Sequence, residues 1–110
     1  MMSQKKIFLY AEYQVSVPFD QIDWQSINPE MKKFEGLKSK TWLSGINNHS
    51  VGGFYEFTSL DCAQKYIDEL LIPFTKQING NLSVKLFNGD VVEEGSKGMG
   101  SPFYKNVSFQ

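Results

Sequence analysis

From Ile7 to Val17 apolar and polar side chains alternate, with many β-branched and aromatic types, and this predicts a first strand. Leu9, Ala11, Tyr13 and Val15 share one face; Phe8, Tyr10, Glu12 and Gln14 share the other. Pro18 closes the strand. The period then lengthens to three and four, with Ile22, Ile27, Met31 and Phe34 pointing inward and Asp20 placed to cap. Pro29 disfavours helical geometry at Asn28, so the spacing predicts a broken helix whose second piece starts at Pro29 under an Asn28 cap. Lys32, Lys33 and Gly36 mark its end.

Leu37 to Leu43 predicts a second strand, with Leu37, Ser39 and Thr41 on one face and Lys38, Lys40 and Trp42 on the other. The polar run 44–50 is a loop, and Val51 to Thr58 a third strand. Mid-strand Gly52 and Gly53 suggest a bulge or a close approach by another group. Thr58 or Ser59 opens a helix with apolar positions at Ala63, Tyr66, Ile67, Leu70, Leu71 and Phe74, the cleanest helical spacing in the chain, and Pro73 should end or kink it. Asn79-Gly80 turns the chain into a fourth strand, Leu82 to Phe87. Asn88-Gly89 is either a hairpin turn leading to Val91 and Val92 or a bulge in one long strand. The chain therefore divides into a domain over 1–94 and a flexible, glycine-containing C-terminal tail over 95–110 that could pack on a partner subunit.

The element order β-α-β-β-α-β implies an α+β, ferredoxin-like antiparallel sheet with both helices on one face. Its other face, with Phe8, Tyr10, Trp42 and Phe54 as candidate occupants, would be bare, and a second copy of the sheet is the simplest cover. Composition narrows the partners. Net charge is −1 and all eleven basic residues are lysines, so there is neither a basic field nor a bidentate guanidinium for nucleic acid. The single cysteine, Cys62, forms no internal disulfide and no zinc cluster. No apolar run approaches a membrane span or a signal peptide, so a cytoplasmic protein with no membrane partner is expected.

Val51-Gly52-Gly53-Phe54-Tyr55-Glu56-Phe57-Thr58 matches only half of the RNA-recognition motif: Ser50 stands in place of its basic residue and Gly52 in place of its first stacking aromatic. A broader set of residues carries a different likeness. Trp42, Asn48-His49 and the run from Gly52 to Thr58, with Pro18-Phe19, Glu35-Gly36-Leu37 and Val84-Lys85-Leu86-Phe87 around them, resemble the YdhR-type mono-oxygenase family. The resemblance spans roughly Phe8 to Val92 and is most specific from Trp42 to Thr58. It implies a homodimeric α+β barrel and a mono-oxygenase that needs no metal, flavin or other cofactor, acting on a small aromatic compound of polyketide or quinol type. The Asn28-Pro29 break and the glycine-rich tail depart from that pattern.

Such chemistry needs a base, a dry pocket and a wall of rings. His49, the only histidine, is a candidate base because an imidazole can take up a proton near neutral pH, and Asn48 beside it could donate to a developing oxyanion. A plain polar turn explains the same two residues. Glu12 sits within an apolar strand, where burial would raise its pKa; on a wet face it would be an ordinary surface carboxylate or a cross-strand partner of Lys40. Tyr13, Trp42, Tyr55 and Phe57 form the expected ring wall, with Trp24 covering the cleft, although core packing accounts for these rings equally well. Haem degradation would require His49 as iron ligand from a loop. A non-enzymatic dimeric ligand-binding or accessory protein would use the same cleft.

Overall fold

The computed structural model describes residues 5–14, 19–77 and 80–104, with Phe19 described in its backbone only. The elements are β1 (Ile7–Gln14), a short 3-10 turn (Phe19–Gln21), α1 (Trp24–Lys32), β2 (Leu37–Ser44), β3 (Ser50–Phe57), α2 (Leu60–Tyr66), a π-helical turn (Ile67–Leu71), α3 (Ile72–Gln77), β4 (Asn81–Asn88) and α4 (Glu93–Gly98). The four strands form one antiparallel sheet in the order β2-β3-β1-β4. This is the expected α+β arrangement. Val15 to Pro18 and Asn79, read above as strand end and turn, lie outside the described residues. No helix among the described residues is long and apolar enough to cross a membrane.

The period-two reading of β1 holds. Ile7, Leu9, Ala11 and Tyr13 are buried with Tyr55, Phe57, Met31, Ala63, Tyr66 and Leu71 between sheet and helices. Strand β2 departs from it. A bulge between Leu37 and Ser39 takes up one residue, so Leu37 opposite Phe57 shares its face with Lys40 opposite Tyr55 and Trp42 opposite Gly53. Lys40 and Trp42 therefore face the helices with Leu37, and the expectation of Trp42 on the bare face is corrected.

Pro29 does not break α1. The helix starts later than expected, at Trp24, capped by Asp23, whose carboxylate accepts from the Ser26 N–H, and it continues through Pro29 to Lys32. Asn28 is thus inside the helix and free to use its side chain elsewhere. The second helix handles its proline differently: the backbone widens into the π turn at Ile67–Leu71 and then continues past Pro73 to Gln77. A widened turn relieves the clash of a proline ring with the carbonyl four residues back.

Asn88-Gly89 is neither hairpin nor bulge. Asn88 Oδ1 accepts from the N–H groups of Asp90 (2.9 Å) and Val91 (3.1 Å), and this turn leads into α4. The segment expected as a flexible tail crosses the chain's own sheet: Phe103 lies 5.7 Å from Phe8 and 5.1 Å from Phe54, ring to ring. Lys6 Nζ fastens it, donating to Glu56 Oε2 and to the Phe103 carbonyl, each at 2.6 Å. The Tyr104 hydroxyl donates to the Gly89 carbonyl at 2.8 Å. Residues 105–110 lie outside the described residues.

Candidate functional site

The bulge in β2 shapes a cleft between that edge strand and α1. Asn28, Met31 and Lys32 line it from the helix; Leu37, Lys38, Ser39, Lys40 and Trp42 line it from the strand; its volume is about 190 Å³. Trp42 Nε1 donates to Asn28 Oδ1 at 3.0 Å, pinning the indole to the helix. Lys40 Nζ sits 3.2 Å from the centre of the Trp42 ring and 4.9 Å from that of Tyr55, and donates to Met31 Sδ at 3.2 Å.

Lys40 takes part in none of the ion pairs among the described residues. Burial pushes its pKa down from 10.5 to about 7, because the charged form loses hydration that no anion restores. Gly53 makes this placement possible. A Cβ there would stand 2.6 Å from Lys40 Cε, so the bare backbone leaves the channel in which the lysine chain runs. Gly52 serves the sheet itself, since its Cβ would stand 2.0 Å from the Ala11 carbonyl oxygen. The close approach expected at this glycine pair is present at both positions.

The residues expected at a ligand site fall into three groups. Trp42 lines the cleft. Tyr13, Tyr55 and Phe57 stand behind it, packed into the core and essentially without solvent exposure. The hydroxyls of Tyr13, Tyr55 and Tyr66 are buried with no hydrogen-bond partner among the described residues. Burial raises all three pKa values, that of Tyr13 to about 12. Trp24, at the start of α1, is 41% exposed and is not among the cleft's lining residues.

Glu12, Asn48 and His49 lie elsewhere. Glu12 points to the opposite face of the sheet, where it accepts from the Tyr10 hydroxyl (2.6 Å) and Ser50 Oγ (2.9 Å). These hydrogen bonds, Tyr10 foremost, lower its pKa, which corrects the expectation of a carboxylate raised by burial. The same contact raises the Tyr10 hydroxyl. A Glu12–Lys40 pair does not form, because the sheet separates them. Asn48 holds its own loop, its Oδ1 accepting from the Ser50 N–H at 2.9 Å and its Nδ2 donating to the Ile46 carbonyl at 3.1 Å. With Glu12 it borders a shallow depression of about 220 Å³; His49 is exposed on the loop beside it.

Lys40 was not among the expected site residues. Its face depends on a one-residue bulge, and the one sequence signal near it was the glycine pair on the neighbouring strand.

No family model matches the chain, and no curated protein does. Solved structures do resemble it. SnoaB, a cofactor-independent oxygenase from Streptomyces nogalater, aligns with a TM-score of 0.54 at 13% identity, covering 76% of this chain and 91% of SnoaB. An asparagine-to-alanine mutant of SnoaB aligns with a TM-score of 0.55 at 12% identity over the same shares. At this identity the likeness establishes the fold: a four-stranded antiparallel sheet with helices, as in SnoaB.

Proposed function

We propose that this chain is a cofactor-independent mono-oxygenase of the YdhR type, a homodimer that oxidises a small hydroxyaromatic compound in the cleft between α1 and β2. The carrying observation is that cleft: on a fold shared with a cofactor-independent oxygenase, it puts an indole, a thioether and an amine that joins no ion pair among the described residues around one partly enclosed space. The reaction that suits it needs little from the protein. Loss of a proton from an anthrone-like methylene leaves an electron-rich carbanion; dioxygen adds to that carbon; the second C–H breaks as one oxygen stays as ketone and the other leaves as water. The substrate's own two C–H bonds supply the electrons, so no external reductant is required. The protein's task is to bind the ring, stabilise the anion and limit water.

The homodimer in this reading forms through the sheet face away from the helices. There Phe8, Phe54, Phe87, Val91, Val92 and Phe103 line an apolar groove of about 670 Å³. The test is oxygen uptake with a panel of anthrones and hydroquinones. With the anthrones, wild type is expected to consume one dioxygen per quinone formed, and Trp42→Ala to lose at least about tenfold in kcat/KM. Tight binding of these compounds without oxygen consumption would instead support the non-enzymatic ligand-binding reading.

A further inference from the structure

We propose that Lys40 is the proton acceptor of this cleft, taking the proton of an acidic hydroxyaromatic and holding the resulting anion against its own ammonium. This deepens the reading above: it rests on a hydroxyaromatic ligand in the cleft, but not on the oxygen step.

The geometry supports it in three ways. The Lys40 side chain runs past Gly53 and lines the cleft together with Met31 and Trp42, the two groups its Nζ touches, so a compact ligand resting between α1 and β2 would lie against the residues that hold the amine. The face of Trp42, 3.2 Å away, stabilises the ammonium once it forms. Among the described residues no carboxylate takes that role beforehand, so an incoming anion becomes the counter-charge in a poorly hydrated site where Coulomb attraction is strong.

The ionisable groups around Lys40 favour the same outcome. Lys32 faces the cleft from α1, Lys38 from β2 and Tyr55 from β3, with Tyr66 of α2 packed behind Tyr55. None is a carboxylate. Lys38 is spoken for, its Nζ lying 3.4 Å from Glu56 Oε2. Burial lowers the Lys40 pKa to about 7, so above that pH the amine is mostly neutral. In the step itself the ligand O–H breaks, its electron pair remains on oxygen, and a new N–H forms on Nζ. Nothing is oxidised or reduced.

The experiment uses β-naphthol without oxygen at about pH 8, where phenols free in water remain protonated. Wild type is expected to bind one naphthol and develop the red-shifted naphtholate band with no net proton release, because Lys40 keeps the proton. Lys40→Met is expected to lose the band at least tenfold. Lys40→Arg keeps a cation but cannot accept a proton, so it should show the band with one proton released to an indicator dye. Lys65→Met, altering an exposed lysine of α2, should behave as wild type. A wild type that fails to bind, binds without the band, or releases a proton overturns the proposal, as does an undiminished band in Lys40→Met. A naphtholate band together with failure to oxidise any anthrone would overturn the oxygenase reading alone. Anthrone oxidation without the band would overturn the role of Lys40 alone.

Discussion

Lys40 sets a sign for the protein's pH dependence. Its folded pKa of about 7 lies below the unfolded value of 10.5, so between these limits the unfolded chain binds more protons. Stability should therefore rise as pH increases from about 7, and below about 7 this contribution should be flat, since both states are protonated. Above about pH 10 the buried tyrosines act in reverse. Tyr13, Tyr55 and Tyr66 hold their protons when folded and lose them when unfolded, so stability should fall there. Urea titrations of wild type and Lys40→Met across pH 6 to about 9 check this. The rise is expected only in wild type, and Lys40→Met should be more stable at neutral pH by about 1–3 kcal/mol. The glycine pair gives a second residue-level contrast. Gly52→Ala drives a methyl into the fixed Ala11 carbonyl and should cost about 2–4 kcal/mol; Gly53→Ala meets the movable end of Lys40 and should cost about 1 kcal/mol or less, while shifting the pH profile just described.

Among the elements, α1 and β2 are tied by two side-chain hydrogen bonds, Lys40 to Met31 and, between partners fourteen residues apart, Trp42 to Asn28. Removing the acceptor deletes this hydrogen bond of a partly buried indole. Asn28→Ala should cost about 1–2 kcal/mol by urea unfolding and loosen the cleft mouth, seen as faster quenching of Trp42 fluorescence in a Trp24→Phe background. The C-terminal strap is a second such tie. Glu56, only 5% exposed, holds Lys6, and Lys6 holds the Phe103 carbonyl. Glu56→Ala would leave Lys6 without its anion. A loss of about 2 kcal/mol is expected, with proteolytic cleavage around residues 95–102 appearing before global unfolding.

For the molecule as a whole, the proposed homodimer depends on the sheet face away from the helices, where the C-terminal segment already covers Phe8 but leaves other apolar side chains exposed. Phe87 is 47% exposed, Val91 79% and Val92 48%, all bordering the apolar groove. Sedimentation equilibrium is expected to give twice the chain mass of 12.6 kDa, and a Phe87→Asp, Val92→Asp double variant to sediment as one chain with the helix-side cleft intact. A wild type that stays a single chain at high concentration would remove the dimer from the proposed function.

The element order through β4, the buried face of β1 and the core positions on the second helix were legible in the chain, because each rests on local periodicity: a side chain two or four residues on must share a face. Ile7, Leu9, Ala11 and Tyr13 could point inward together or not at all. Lys40, Asn28 and Phe103 were not legible, for one shared reason. The bulge beside Lys38 moves Lys40 and Trp42 across the sheet on account of pairing with β3; α1 passes through Pro29 while Asn28 bonds to a distant strand; Phe103 packs against Phe8 at the far end of the chain. Each depends on contacts between residues remote in sequence, whose energies carry no local pattern. The candidate cleft is built from those contacts, and so only the folded chain could bring its amine, its indole and its asparagine together.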